Sequence, residues 1–184
     1  MQLNIGDQFQ GLINARGRSS KHIAEGIALC ALAVLASAAI AGAAAPTKAN
    51  PKRNRQSAML RKPDMQPPKK TFAAVWAPLF ATLTLSGVRI WNAPASPART
   101  RALGLWGALQ GMNALTTLWG PKQQTATVVS HLATLGGAFA YLNEARKVDA
   151  TSAAIVSPYL GWMTFAGILS EVVWRKNKDR PTIH

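Results

Sequence analysis

The sequence predicts an all-α fold, an integral membrane bundle of five transmembrane helices, and three observations carry the prediction. Hydrophobic residues make up 48% of the 184-residue chain and charged residues 15%, so the charges are concentrated at a few places. Between those places lie five apolar stretches, whose lengths approach or reach the ~20 residues that cross a hydrocarbon core. Within them, polar and aromatic residues recur in steps of three and four, the spacing that lines one face of a helix. One domain is the expectation for this length.

Residues 1–22 are polar and end on Arg16, Arg18 and Lys21, which reads as an N-terminal tail. Residues 23–45 form the first expected span, with Glu25 as its one charge. A cleaved signal peptide is the alternative, because the run is rich in small residues and carries Ala-x-Ala near its end. The leader would be unusually long and Pro46 makes a poor cleavage boundary, so a retained helix is expected. Residues 46–70 hold five prolines and eight basic residues against the single acid Asp64. Such a composition cannot pack a core and predicts a flexible, solvated loop. The loop either sets topology or holds anionic lipid or another partner.

The second span is expected over 71–91, with Arg89 close enough to its end to snorkel to the interface. A short Pro-rich turn over 93–101 leads to a third span over 102–119 and a fourth over 125–142, joined through Gly120-Pro121-Lys122. A charged turn over 143–150 precedes the fifth span, 151–174, and the basic residues Arg175, Lys176, Lys178 and Arg180 follow it. The membrane domain is thus expected over 23–177, with a C-terminal tail over 178–184.

An odd number of spans puts the termini on opposite sides. The N-terminal side collects eight basic residues and the other side thirteen. The positive-inside rule then places the long loop and the C terminus in the cytoplasm and the N terminus outside, in a bacterial inner membrane. The net charge of +14 would suggest nucleic acid in a soluble protein. Here the basic residues flank apolar segments and no basic stripe interleaves with aromatics, so anionic lipid head groups are expected as partners and nucleic acid is not. Cys30 has no second cysteine to pair with.

The interior-facing residues decide what the bundle could do. Tyr159, Trp162, Ala166 and Ser170 share one face of the fifth span, aromatic at one end and small or hydroxylated at the other. Lipid does not require that mixture, whereas a protein-lined pocket or a tight helix contact does. Trp106, Gln110, Asn113 and Thr117 make a polar stripe on the third span, and amides in hydrocarbon need partners, so the stripe faces the bundle. Helix-to-helix hydrogen bonding and ligand lining both satisfy it. Trp76, Phe80, Thr84 and Gly87 form a similar face on the second span. The fourth carries Ser130, His131 and Thr134, then Gly136-Gly137, which would permit close backbone approach. His131 is the one histidine within a span and the weak candidate for a metal or haem-iron ligand, but it has no second ligand at metal-binding spacing, and a hydrogen-bonded structural role is favoured. No nucleophile–base pair, paired carboxylates, phosphate loop or Cys/His cluster is present, so a protein without catalytic activity is expected. Glu25 and Glu171 lie near span ends and read as interfacial.

Three segments together carry a resemblance. Pro158-Tyr159-Leu160-Gly161-Trp162 is followed by Phe165-Ala166 and a late Asn177; Pro67-Pro68 is followed by Phe72, Val75-Trp76 and Leu79-Phe80; Asn113 precedes Leu118-Trp119. In this order they resemble the TspO/translocator-protein family of tryptophan-rich sensory proteins, over roughly residues 60–177 and loosely the first span. The chain departs from the pattern at Lys70, where a Trp is common, at Phe80 for Tyr, at Thr116 and Ser170 for Asn, and after Trp119, where Pro-x-Phe-Phe is absent. The resemblance implies five helices and a pocket for a tetrapyrrole such as porphyrin or haem, or for a sterol-like molecule, held as ligand and not as required cofactor. It implies a sensor, carrier or regulator, and a homodimer. The pocket would draw on Trp76, Phe80, Trp106, Gln110, Asn113, Thr116, Tyr159, Trp162, Ala166 and Ser170. A sterol-type pattern, Leu135-x5-Tyr141-x4-Arg146, is also present. The alternative is an accessory subunit of a membrane complex that keeps the fold without the pocket.

Overall fold

The computed structural model describes residues 5–179, with Lys69 described in its backbone only. These residues form seven helices and no strand: α1 (Ile5–Leu12), α2 (Ser20–Ala44), α3 (Pro51–Met59), α4 (Lys69–Asn92), α5 (Pro97–Leu118), α6 (Gln124–Val148) and α7 (Ala150–Asn177). Four of them, α2, α4, α6 and α7, are long and apolar enough to cross a membrane. The 22-residue α5 stands outside that group. It carries Arg99 and Arg101 near its start, and Gln110 and Asn113 further in.

Helix starts follow local chemistry. Ser19, Asn50, Ser96 and Asp149 each accept a hydrogen bond from the backbone N–H three residues on, and Pro51 and Pro97 occupy first-turn positions where no N–H is needed. The expected charged turn over 143–150 is instead helical as far as Val148, with Glu144 bonded by Lys147 at 2.6 Å one turn on and by Arg101 of α5 at 2.9 Å. Only Asp149 interrupts, ending α6 and capping α7.

The five long helices close into a ring. α2 packs on α4 and α5, α5 on α6, α6 on α7, and α7 on α4, while α4 also touches α5. Two glycines set the closest approaches. A Cβ on Gly26 of α2 would lie 2.3 Å from Trp91 Cδ1, and one on Gly87 of α4 would lie 2.6 Å from Trp106 Cε2. The expected close approach at Gly136-Gly137 is not found: Gly136 faces open space, and a Cβ on Gly137 would make ordinary contact with Leu109 at 3.4 Å. Leu29, Leu32 and Leu35 on α2, with Leu132 and Phe139 on α6, stay exposed on the outside of the ring, as a lipid-facing surface requires.

Both ends of the ring are tied down by segments that composition read as loose. At one end, the expected N-terminal tail contains α1 and then folds onto α4, with Ile13 and Ala15 buried. Asn14 takes a left-handed φ of 54° that lets the chain turn out of α1. From here Arg18 Nε donates to Asn92 O at 2.7 Å, and Asn92 Nδ2 donates back to Ile13 O at 2.8 Å. Arg89 does not snorkel. It is 7% exposed, donates to Gly11 O and Leu12 O, and pairs with Asp149. At the other end, the expected flexible loop contains α3 and is anchored twice. Arg53 donates to Ala44 O, Thr117 O and Leu118 O, the C-terminal carbonyls of α2 and α5, at 3.0, 2.8 and 2.6 Å. Arg61 exchanges two bonds of 2.9 Å with the Asn177 amide. Arg180 and the rest of the expected C-terminal tail beyond Asp179 lie outside the described residues.

Candidate functional site inside the bundle

The seam between α4 and α7 is aromatic because both helices repeat large rings at helical spacing. On α4, Phe72, Trp76 and Phe80 stand one turn apart; on α7, Tyr159, Trp162 and Phe165 do the same in steps of three. Trp76 packs on Phe80 with centroids 5.2 Å apart and meets Tyr159 edge-on at 6.5 Å. Trp162 meets Phe72 edge-on at 5.2 Å and Phe165 at 5.5 Å. These offset and edge-to-face geometries suit ring quadrupoles and leave indole faces as flat apolar surface.

The polar stripe of α5 closes on this seam. Tyr159 Oη donates to Asn113 Oδ1 at 2.7 Å, joining α7 to α5. Trp106 Nε1 donates to Leu83 O at 2.9 Å, joining α5 to α4, and its indole fills the space that Gly87 leaves. Gln110 Nε2 turns back to Trp106 O at 3.3 Å. After these bonds, three buried side-chain atoms in the predicted set have no partner: Gln110 Oε1, Asn113 Nδ2 and Trp162 Nε1. Buried polar atoms are nearly always bonded, so this acceptor on α5 and the two donors on α5 and α7 retain unused hydrogen-bonding capacity.

Phe80, Trp76, Tyr159 and Asn113 are therefore linked through direct contacts from α4 through α7 to α5, Gln110 and Trp106 form a second group that meets α4 at Leu83, and Trp162 joins α7 to α4 through Phe72. Ala166 is buried on α7. Thr116 and Ser170 are occupied elsewhere: Thr116 Oγ1 donates to Met112 O of its own helix, and Ser170 Oγ lies 3.4 Å from His131 Nδ1. A carbonyl only accepts, so the 2.9 Å contact of His131 Nδ1 with Thr127 O puts the ring proton on Nδ1. No group of three or more His, Cys, Asp or Glu able to hold a metal occurs among the described residues.

Phe72 and Phe165 belong to the seam but were absent from the expected pocket; their spacing from Trp76 and Trp162 was the available signal. A second knot, Ser86–Tyr141–Ser152, had no signal at all. Ser86 Oγ donates to Ser152 O at 3.0 Å, which leaves Tyr141 Oη to donate to Ser86 Oγ at 2.6 Å. Tyr141 is fully buried in this knot, so the sterol-type pattern built on it does not present its aromatic residue to lipid.

The family model described as TspO/MBR family matches residues 30–175. The chain belongs to the TspO/MBR family. It is 30% identical over 128 residues to the translocator protein of Bos taurus, covering 67% of this chain and 75% of that protein, and the same figures hold for the translocator protein of Ovis aries. It is 29% identical over 131 residues to protein CrtK of Rhodobacter capsulatus, covering 67% of this chain and 79% of CrtK. As a TspO/MBR protein with four helices of membrane-crossing length and composition, it is an integral membrane protein. The match takes in the aromatic seam, the α5 stripe and the part of α2 from Cys30 onward, but not the N-terminal segment that closes over Arg89.

Proposed function

We propose that this TspO/MBR protein binds a tetrapyrrole, porphyrin or haem, or another flat apolar ligand between α4, α5 and α7, as a sensor, carrier or regulator and without catalysis. The observation that carries the reading is the set of unpartnered buried atoms, Gln110 Oε1, Asn113 Nδ2 and Trp162 Nε1, taken together with the Trp76–Tyr159 and Phe72–Trp162 ring contacts. A macrocycle stacks on indole faces through its plane and offers polar atoms at its edge, which suits one acceptor and two donors. A sterol-like ligand offers a hydroxyl at one end only and leaves more of the three atoms bare.

In the same reading all five long helices span, α5 being shielded from lipid on much of its surface by α2, α4 and α6. The N terminus lies outside and the C terminus in the cytoplasm of a bacterial inner membrane, with the 46–70 segment against anionic head groups. A homodimer would use the exposed small-residue face Ala36, Ala39 and Ala43 of α2.

The test is a protoporphyrin titration of the detergent-solubilised protein, followed by quenching of tryptophan fluorescence and repeated with Trp162→Phe. Saturable quenching that weakens in the variant supports the site. Linear quenching, identical in both proteins, would mean partition into detergent and would leave the accessory-subunit alternative.

A further inference from the structure

At the end of the bundle closed by α3, the structure carries a cleft of about 400 Å³ that none of the bundle-interior chemistry uses. Lys52, Arg53 and Gln56 of α3 line it on one side, and Gly120, Lys122 and Gln123 of the α5–α6 turn line it on the other. Three of its lining residues are cationic, and no carboxylate is among them. We propose that this cleft is a binding site for a phosphate-bearing anion. This goes beyond the tetrapyrrole reading, deepens the head-group contact proposed for the 46–70 segment, and rests on that segment lying at the membrane surface.

The cationic wall is preorganised. Arg53 is held by three carbonyls from two helices, which take both Nη1–H bonds and one Nη2–H and leave Nε–H and the second Nη2–H for an anion. Lys52 and Lys122 are exposed and approach from opposite sides of the cleft. Gln123 adds to the positive character: its Oε1 accepts from Gly120 N–H at 3.2 Å instead of capping α6, so the helix opens at the cleft without a side-chain cap. The depth of the cleft relative to lipid is set by its neighbours. Leu118, another lining residue, and Trp119 beside it are exposed, and Trp119 Nε1 is bonded to Ser130 Oγ at 2.6 Å, the amphipathic arrangement of an indole at head-group level.

Two sources share this chemistry, a phospholipid head group and free phosphate. The intact protein, in a micelle of neutral detergent, would be given phosphatidylglycerol and its retained lipid counted by native mass spectrometry. The double variant Lys52→Gln/Lys122→Gln would be compared with Lys62→Gln/Lys176→Gln, which removes the same charge at exposed positions outside the cleft. Arg53 is left in place because it caps two helices, and unchanged melting of both variants checks the fold. The expected result is retention of about one lipid, weakened roughly tenfold in the cleft variant and unchanged in the control. Competition by millimolar inorganic phosphate would assign the site to free phosphate, and its failure to compete would assign the head group; either supports the cleft. Equal loss in both variants, or none in either, would overturn the proposal and leave only diffuse attraction to the basic surface. Protoporphyrin quenching of the cleft variant should match the parent, so failure of one site is separable from failure of the other.

Discussion

Arg89 and Asp149 form a bidentate ion pair, Nε to Oδ2 at 2.7 Å and Nη2 to Oδ1 at 3.1 Å, across the end of the bundle where α4 finishes and α7 begins. The same guanidinium holds the carbonyls of Gly11 and Leu12, and the same carboxylate caps α7 through Ser152. One pair therefore joins the N-terminal segment, the end of α4 and the start of α7.

Burial by itself would raise the Asp149 pKa, but the hydrogen bonds from Arg89 and Ser152 and the Arg89 charge outweigh it and hold the carboxyl below its ordinary value. The stabilisation is therefore complete above the unfolded pKa of about 3.9 and is lost as pH falls through the lower folded value. Thermal melting of the purified protein should show a midpoint that drops on acidification through this range. Asp149→Asn should reduce that dependence, leaving the part that Glu144 contributes through Lys147 and Arg101, and lower stability at neutral pH by ~3 kcal/mol, since it leaves a buried guanidinium without its counter-charge. An unchanged melting curve at pH 7 would show that the pair adds nothing.

Gly87→Ala and Gly136→Ala should part company. The first puts a methyl 2.6 Å from the Trp106 ring and the second meets open space. A loss of about 1–3 kcal/mol is expected for Gly87→Ala and almost none for Gly136→Ala, read as detergent melting temperatures. Trp106 cannot swing aside cheaply, because its Nε1 is bonded to Leu83 O.

Gln110→Leu separates binding from packing. The substitution removes a buried acceptor that has no partner, at the cost of one 3.3 Å bond to the helix's own backbone. Stability should stay within about 1 kcal/mol of the parent or rise, while porphyrin affinity falls several-fold. Trp76→Ala is the complement: if it abolishes quenching in a protein that remains folded, the seam serves a ligand, and if it only unfolds the protein, the seam is core.

Asn177→Ala should release the 46–70 segment. It removes both bonds to Arg61 and one of 2.7 Å to Val173 O, together worth about 1–3 kcal/mol. Trypsin should then cut within 52–62 several times faster than in the parent. Equal cleavage rates would place the anchor at Arg53 alone.

Much of the site was legible because helical periodicity reports which residues share a face. The steps from Trp106 to Gln110 to Asn113, and from Tyr159 to Trp162, pointed inward; Trp106, Asn113, Tyr159 and Trp162 make contacts that join α4, α5 and α7, and Gln110 is buried beside them on α5. Periodicity cannot say which neighbour a residue meets. Thr116 and Ser170 lie on plausible faces of their helices, yet one bonds its own backbone and the other sits beside His131.

The sequence by itself determined the helical class, the membrane setting, the family and the inward faces, because hydrophobic length and 3.6-residue repeats are local properties of the chain. Tertiary structure alone decided how the ends close. A basic, Pro-rich stretch reads as solvated loop, and an arginine near a span end reads as snorkelling. Arg53 and Arg61 are held by residues 64 and 116 positions away, and Arg89 by one 60 positions away. Helix C-terminal carbonyls and a partly buried carboxylate become available to a guanidinium, and the Asn177 amide to the Arg61 backbone, only once distant segments are packed side by side, and no local pattern encodes that meeting.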